Sequence, residues 1–497
     1  MVKPSPLATY LKDQSKPLDP GFVGYLASLT KVAEVAPEIA ASVVRELRDQ
    51  RNNLKLIASE NFSSLSCQLA MGNLLTDKYA EGYPFHRFYA GCGNVDEVEA
   101  RGVELAKKVF ACEHAYLQPH SGADANLIAF WAILHTRVAN KLLADWGGKK
   151  INDLDRKDWS ELRKAMGNQK LLALDYYSGG HLTHGYRFNV SAQMFDAYSY
   201  SVSEKTGLLD YDNIEKLALE IKPLILLAGY SAYPRSINFR RMKEIADKVG
   251  AVFMVDMAHF AGLVAGGVFQ GDNNPVPFAD VVTSTTHKTL RGPRGGIVLC
   301  KKEFAEQVDK GCPLVIGGPL SHVMGAKVVG LHENGTQEFK DYSKKIVENS
   351  QALAAACMEQ DLKVLTGGTD NHLLLIDVRQ FNINGRQAEA ALRECGITLN
   401  RNSIPFDTNG AWFTSGLRVG TPAVTTLGMG IAEMQEIAAI IKIVLAGTKS
   451  PEGSKTKFLL DEKARAEARS RVSALLARFP LYPELDLTFL EQHFLDN

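Results

Sequence analysis

Apolar residues along this chain follow two periods, and the change between them divides it. Between residues 96 and 300, short uncharged runs recur: Leu171–Leu174, Leu224–Ala228, Ala251–Val255, Val281–Ser284 and Ile297–Cys300. Each is continuous rather than alternating, the pattern of a strand buried on both faces. Helical spacing fills the gaps between them. Asn94-Val-Asp-Glu97 predicts the cap of a helix reaching Phe110, and Ser121 opens another through Ala129, Phe130 and Leu134. Strands separated by helices imply a mainly parallel sheet covered on both sides. Upstream, Val32, Val35, Ile39, Val43, Val44 and Leu47 share one helical face and predict one helix with a buried stripe.

After residue 335 the pattern turns to long helical stretches around one strand, Leu373–Val378. The expected division is an N-terminal arm and helix over 1–60, a large α/β domain over 61–335, and a smaller α+β domain over 336–497. A polar segment, 137–170, reads as a helical surface insertion without chemistry. The linker Gly447–Ser454 leads to an amphipathic terminal helix around Leu459–Phe479.

Composition narrows the function classes. A chain of 497 residues, 45% hydrophobic and 23% charged, exceeds one core and suits two or three domains. Lys plus Arg and Asp plus Glu number 56 each, so no net field favours nucleic acid or an anionic membrane. The first twenty residues lack an apolar signal core, and no run approaches the ~18–20 apolar residues that cross a bilayer. Seven cysteines are scattered without a Cys-x-x-Cys pair, which indicates neither a disulfide framework nor a zinc site. A cytoplasmic protein binding neither membrane nor metal is expected. The 41 glycines matter by position, since many flank the motifs below.

Chemistry concentrates where strands end, the usual ligand position in a parallel sheet. Ala251–Val255 runs into Asp256-Met-Ala-His259, Val281–Ser284 into Thr285-Thr-His287-Lys288, and Leu224–Ala228 into Tyr230-Ser231. Desolvation lowers a lysine's pKa and frees its amine for imine formation. A carboxylate one strand away suits a protonated heteroaromatic nitrogen. The pair describes a pyridoxal phosphate site. Singly, Asp256 fits a helix cap, His259 a core histidine and Lys288 a surface residue; at successive strand ends these readings must all hold at once. Ser121, Gly122 and Ala123 would offer a hydroxyl and backbone N–H groups to a phosphate at a helix N-terminus, although Ser-Gly there is also ordinary capping. Gly317-Gly318-Pro319 fits a turn as well.

Several blocks resemble the serine hydroxymethyltransferase family of fold type I, aspartate aminotransferase-like enzymes. They are Leu56-Ile-Ala-Ser-Glu-Asn61, Lys78-Tyr-Ala-Glu-Gly-Tyr-Pro84, Gln118–Asn126, Gly179-Gly-His-Leu-Thr-His-Gly185, Val255–Val264, Thr285–Gly296, Gly367-Gly-Thr-Asp-Asn-His372 and Thr414–Pro422, in family order. The resemblance implies a mainly parallel seven-stranded sheet. It also implies serine plus tetrahydrofolate giving glycine plus 5,10-methylenetetrahydrofolate, through an external aldimine and a glycine quinonoid on pyridoxal 5'-phosphate.

By the same resemblance, Lys288 forms the imine, Asp256 binds the ring nitrogen, and His259 and Ser231 lie near the ring oxygen. His181 stacks on the ring, and Ser121, Gly122, Ala123 and His287 surround the cofactor. Arg418 clamps the substrate carboxylate near Ser59; from its local sequence alone it reads as a surface arginine. Glu81 moves a proton during one-carbon exchange, with Tyr89 beside it. Gly180, Leu182 and Asn402 hold the folate. Tyr79, Gly317 and Gly318 reach a neighbouring subunit's phosphate, which makes a homodimer the expected unit.

The departures from the family pattern are local. Tyr83-Pro-Phe-His-Arg-Phe-Tyr-Ala-Gly91 changes a substrate loop, Ala123 stands for a serine, Tyr176 for a leucine, Ile316 for a glutamine and Leu427 for a basic residue. Ala123 removes a hydroxyl donor worth ~1–2 kcal/mol, so weaker cofactor retention is expected. The competing readings are a folate-independent aldolase or racemase using the same chemistry, and a non-catalytic relative. Intact Lys288, Asp256, Arg418 and Glu81 oppose the second.

Overall fold

The uncharged runs become strands of a single sheet. The computed structural model describes residues 5–13 and 18–495, so residues 1–4 and 14–17 of the expected arm lie outside the described residues. In chain order the strands are β1 His114–Tyr116, β2 Lys170–Leu174, β3 Asp196–Tyr200, β4 Ile225–Gly229, β5 Val252–Asp256, β6 Val281–Thr285 and β7 Gly296–Cys300. They lie in the order β1-β7-β6-β5-β4-β2-β3. Neighbours from β6 to β3 pair in parallel, while β7 runs antiparallel to β6 and β1. Every residue of β4 to β7 is buried. Leu226, Phe253 and Val282 enter the core on one face, and Leu227, Met254 and Val281 that on the other. Two covered faces explain the absence of alternation.

The helices depart from expectation in instructive places. Ser121 does cap the helix Gly122–Leu134, its Oγ accepting the Asp124 N–H at 3.2 Å. The preceding helix starts at Gly93, with Cys92 as its N-cap and no side-chain cap bond. Asp96 of the expected cap does other work: it accepts from Arg87 at 2.8 Å, as Glu99 one turn on does at 2.6 Å. Helical turns continue from Gly122 to Asp145, giving one helix long and apolar enough to cross a membrane. Asp124, Asn126, His135, Arg137, Asn140 and Lys141 interrupt it, so it holds no continuous apolar run of spanning length. Its Ile128, Phe130 and Ile133 are buried in the core against the sheet, so packing accounts for its apolar character. Segment 137–170 is largely helical, but Leu143 and Leu162 are buried, so it is packed on the body rather than lying free.

The single helix expected over Val32–Leu47 is two, Pro20–Ala33 and Pro37–Asn52. Proline is favoured in a first helical turn and disfavours helical geometry in the residue before it. Val44 and Leu47 are buried, but Val32, Val35, Ile39 and Val43 are exposed, Val35 at 87%. The predicted stripe is thus half uncovered in the single chain.

A second, antiparallel sheet has the order β8-β9-β11-β10, with β8 Lys363–Val364, β9 Leu373–Asp377, β10 Asn400–Asn402 and β11 Gly416–Gly420. Leu353 from the helix Gln337–Glu359 and Ile437 and Ile441 from Ile431–Ala446 close its core. Within the linker, Thr448–Lys449 pairs with Leu459–Leu460, and the chain continues as helices Glu462–Arg478 and Leu487–Phe494. Leu490 and Phe494 pack with Phe22, Leu26 and Val44, joining the two ends of the chain. Arg51 secures the joint by donating to the carbonyls of Leu481, Tyr482 and Leu485.

Candidate active site

The carboxyl ends of β4, β5 and β6 open into a cavity of about 580 Å³. Gly229 ends β4 at φ +121°, and a Cβ there would lie 2.0 Å from the Asp256 carbonyl oxygen. Only glycine lets the two strand ends approach so closely. Asp256 then presents its carboxylate to the cavity. Oδ1 accepts the Ala258 N–H at 3.0 Å; Oδ2 accepts from Asn126 Nδ2 at 2.9 Å and His184 Nε2 at 3.1 Å. Burial alone would push this carboxyl up, but His184, His181 and the Asn126 amide outweigh it and hold Asp256 well below the usual carboxylate range. A carboxylate kept ionised in a buried site suits an N–H⁺ partner.

His181, His259 and His372 are each held below an ordinary histidine. His181 Nδ1 receives the Thr183 N–H at 3.2 Å and lies 2.7 Å from Thr183 Oγ1, which assigns its proton to Nε2. Burial, then His184, lowers its pKa to about 4. His259 Nδ1 sits 3.2 Å from His372 Nε2, the rings 5.4 Å apart. Burial with the charges of Lys288 and Arg418 holds His259 well below an ordinary histidine, and burial brings His372 to about 3.

Lys288 follows β6. Asn61 Nδ2 donates to its carbonyl at 2.9 Å and to Tyr342 Oη at 2.7 Å, which fixes the loop. Burial brings the Lys288 ammonium down to about 8, with Asp256 opposing and Arg418 and Arg294 assisting. The amine is therefore partly deprotonated near neutral pH, as a nucleophile requires. Arg418, on β11, donates from Nη1 to the Ser231 carbonyl at 2.6 Å and from Nε to Asn400 Oδ1 at 3.1 Å. These bonds fix the guanidinium plane at the cavity wall.

Ser59, Ser121, Gly122, Ala123, Gly180, His181, Leu182, Ser231, Asp256, His259, His287, Lys288, Asn402 and Arg418 all line this cavity, as does Tyr176. Tyr79, Glu81, Tyr89, Gly317 and Gly318 do not. They form a separate patch in which Tyr79 and Tyr89 rings lie 4.9 Å apart, Tyr79 Oη is 3.4 Å from Glu81 Oε1, and a Cβ on Gly318 would touch the Tyr79 ring. Tyr79 and Tyr89 are 54% and 48% exposed. Ile316 is buried in a core and is not among the cavity residues. A cavity of about 690 Å³ bounded by Arg51, Arg393 and Arg469 contains none of the predicted residues.

Sequence reasoning assigned no role to Asn126, Thr183, His184 or His372, although each stands inside a quoted motif. Only Asn126 carried a local signal, a polar residue between Ala125 and Leu127. The bonds to Asp256 and His259 come from folding alone.

A mixed seven-stranded sheet with an amine, an ionised carboxylate and a helix-capping anion cradle at its strand ends defines a fold type I enzyme. The family model described as serine hydroxymethyltransferase matches residues 32–148 and 164–441. A serine hydroxymethyltransferase of Treponema pallidum is 60% identical over 98% of this chain and 85% of its own length. Those of Mycolicibacterium smegmatis and Chlamydia trachomatis serovar L2 are 55% and 53% identical, each over 94% of this chain and 96% and 95% of their own. The chain belongs to the serine hydroxymethyltransferase family.

Proposed function

We propose that this enzyme transfers the hydroxymethyl group of serine to tetrahydrofolate, reversibly, giving glycine and 5,10-methylenetetrahydrofolate. One observation carries the reading: Lys288, Asp256, the Ser121–Ala123 cradle and Arg418 share a single cavity. The donor set fits pyridoxal phosphate. Ser121, Gly122 and Ala123, at the start of a thirteen-residue helix, line the cavity, and a Cβ on Gly122 would lie 2.7 Å from Thr285 Cγ2, so the cradle has no room for a side chain there. When bound, pyridoxal phosphate supplies an electron-withdrawing ring that takes up the electron pair of a bond broken at the substrate α-carbon.

The chain's own groups do the rest. Ser121, Gly122 and Ala123 hold the phosphate, and His287 borders it. Asp256 accepts the ring N–H, so that the ring stays protonated. His181, held low by burial, would stack on the ring without repelling that charge. Ser231 and His259 border the ring oxygen. Lys288 Nζ provides the amine that attaches the cofactor and later exchanges protons at the α-carbon. Arg418 would clamp the substrate carboxylate, with Ser59 nearby, and so would fix the substrate's orientation in the cavity. Gly180, Leu182, Tyr176 and Asn402 form the wall assigned to the folate.

Glu81 requires a second chain in this reading. It lies outside the cavity, with Tyr79 and Tyr89 half exposed beside it and Gly317 and Gly318 adjacent. We assign that patch to a partner's site, the unit being a homodimer working in the cytoplasm. The three-part division at 60 and 335 is retained with it, the cavity walls coming mainly from the second and third parts, with Ser59 and Glu60 from the first. Purified protein supplied with pyridoxal phosphate, serine and tetrahydrofolate should form glycine, and Lys288→Ala should abolish this. Undiminished turnover by Lys288→Ala would overturn the assignment.

A further inference from the structure

Lys327 is a buried cation that the proposed chemistry leaves without a task. It lies on the helix Ser321–Asn334 at 3% exposure, beside apolar Met324 and Leu331. Its hydrogen-bond partners include no carboxylate. The ammonium donates instead to three carbonyls, those of Leu117 at 2.6 Å, Gly296 at 2.9 Å and Pro119 at 3.0 Å. Three donors meet three acceptors, so the charged form is fully satisfied. Burial brings its pKa down to about 7, with Glu99 and Asp124 opposing. Burying a lysine without a counter-ion is costly, and a leucine would fill a purely structural position at less cost.

The three carbonyls share one property: they belong to the two segments that grip the proposed cofactor. Leu117 and Pro119 flank Gln118 in the turn from β1 to the Ser121 cradle. Gly296 opens β7, immediately after the loop that carries Lys288. The two segments touch directly, for the Gly296 N–H donates to Pro119 O at 2.9 Å and a Cβ on Gly296 would lie 2.3 Å from Ser121 O. Gly295 packs against the ammonium, where a Cβ would lie 2.3 Å from Lys327 Cε and 2.8 Å from Nζ. Gly295 O in turn accepts the Thr286 N–H at 3.1 Å, two residues before Lys288. From the other side, Gln118 Nε2 donates to Glu99 at 2.8 Å and to Gly82 O at 2.7 Å.

We propose that Lys327 is a positioning residue for the cofactor: its ammonium fixes the spacing between the anion cradle and the Lys288 amine. A ligand carrying a phosphate and an aldehyde at set separation is then gripped at both ends. The proposal rests on reading the cavity as the pyridoxal phosphate site.

The test is a titration of apo-protein with pyridoxal phosphate, followed by the absorbance of the bound cofactor, beside the thermal midpoint of each apo-protein. Lys327→Met keeps the side-chain length and removes the one ammonium that three carbonyls share, Pro119 O keeping only the Gly296 N–H; half-saturation should rise by about tenfold or more. Lys327→Ala opens space for a small cation, so ammonium chloride should restore binding where tetramethylammonium chloride at equal ionic strength does not. Leu331→Ala, on the same helix, should lower the thermal midpoint and leave half-saturation unchanged. Lysine variants that bind within about twofold of the parent, or that lose binding only in step with their thermal midpoint, would overturn the proposal. Should they not fold, Gly295→Ala carries the test, because its methyl displaces the ammonium while keeping its charge. Unchanged half-saturation in Gly295→Ala would likewise overturn the proposal. A parent protein that does not bind pyridoxal phosphate would overturn the cavity reading instead.

Discussion

At the scale of residues, the site is a set of protonation states fixed by burial and neighbours. Arg418 is held by the Ser231 carbonyl and Asn400, so its planar fork is oriented before substrate arrives. Arg418→Lys should raise KM for serine ten- to hundredfold, the ~1.5–3 kcal/mol of a bidentate charged pair reduced to a point charge; steady-state kinetics checks this, and an unchanged KM would remove Arg418 from the clamp. His259 and His372 are buried neutral, their pKa values lowered. An unfolded chain binds protons at both below about pH 6.5, while the native one does not until far lower. Their stabilisation is therefore whole above pH 7 and is lost as pH falls from 6.5 toward 3, by up to ~2.7 kcal/mol per pH unit. Urea midpoints at pH 7.5, 6 and 5 should fall in that order. Of these residues the sequence exposed Lys288, Asp256 and His259, because each ends an apolar run. Arg418 was visible only through family resemblance, since the sequence around it on β11 is locally unremarkable. The Asn126–Thr183–His184 support was invisible, because its members are up to 130 residues from Asp256.

At the scale of elements, what could be read depended on how many faces were buried. β4 to β7 announced themselves as charge-free runs. β3 did not: Asp196-Ala-Tyr-Ser-Tyr200 is an edge strand with only Tyr200 buried. The N-terminal helix was misjudged because six apolar residues at helical spacing hid the break that Pro37 imposes. The short strands of the second sheet also gave little pattern, and only β9 stood out. The joining of the chain's ends could not be foreseen from local periodicity. It rests on the final helix and on Arg51, whose three carbonyl bonds cross some 430 residues. Arg51→Ala should cost ~1–3 kcal/mol of stability by leaving partly buried carbonyls unpaired. Its thermal midpoint should fall while half-saturation by pyridoxal phosphate stays unchanged.

At the scale of the whole molecule, one chain holds a cavity in one place and a half-exposed patch of Tyr79, Glu81 and Tyr89 in another. The exposed row Val32, Val35, Ile39 and Val43 leaves further apolar surface uncovered. If the patch completes a partner's cavity, two inactive variants should complement. Lys288→Ala mixed with Glu81→Gln under conditions of subunit exchange should regain about a quarter of parental activity, since half the dimers then hold one intact site. No regain would place Glu81 in its own chain's site. Composition named no reaction, and the neutral charge fits substrates recognised by a few placed side chains.

The central claim joins cofactor, amino acid and folate in one cavity, and one spectrum tests all three. The protein loaded with pyridoxal phosphate and given glycine should show a weak long-wavelength absorbance, which added tetrahydrofolate should increase many-fold. Absence of any response to tetrahydrofolate would contradict the account and point to an aldolase without a folate substrate.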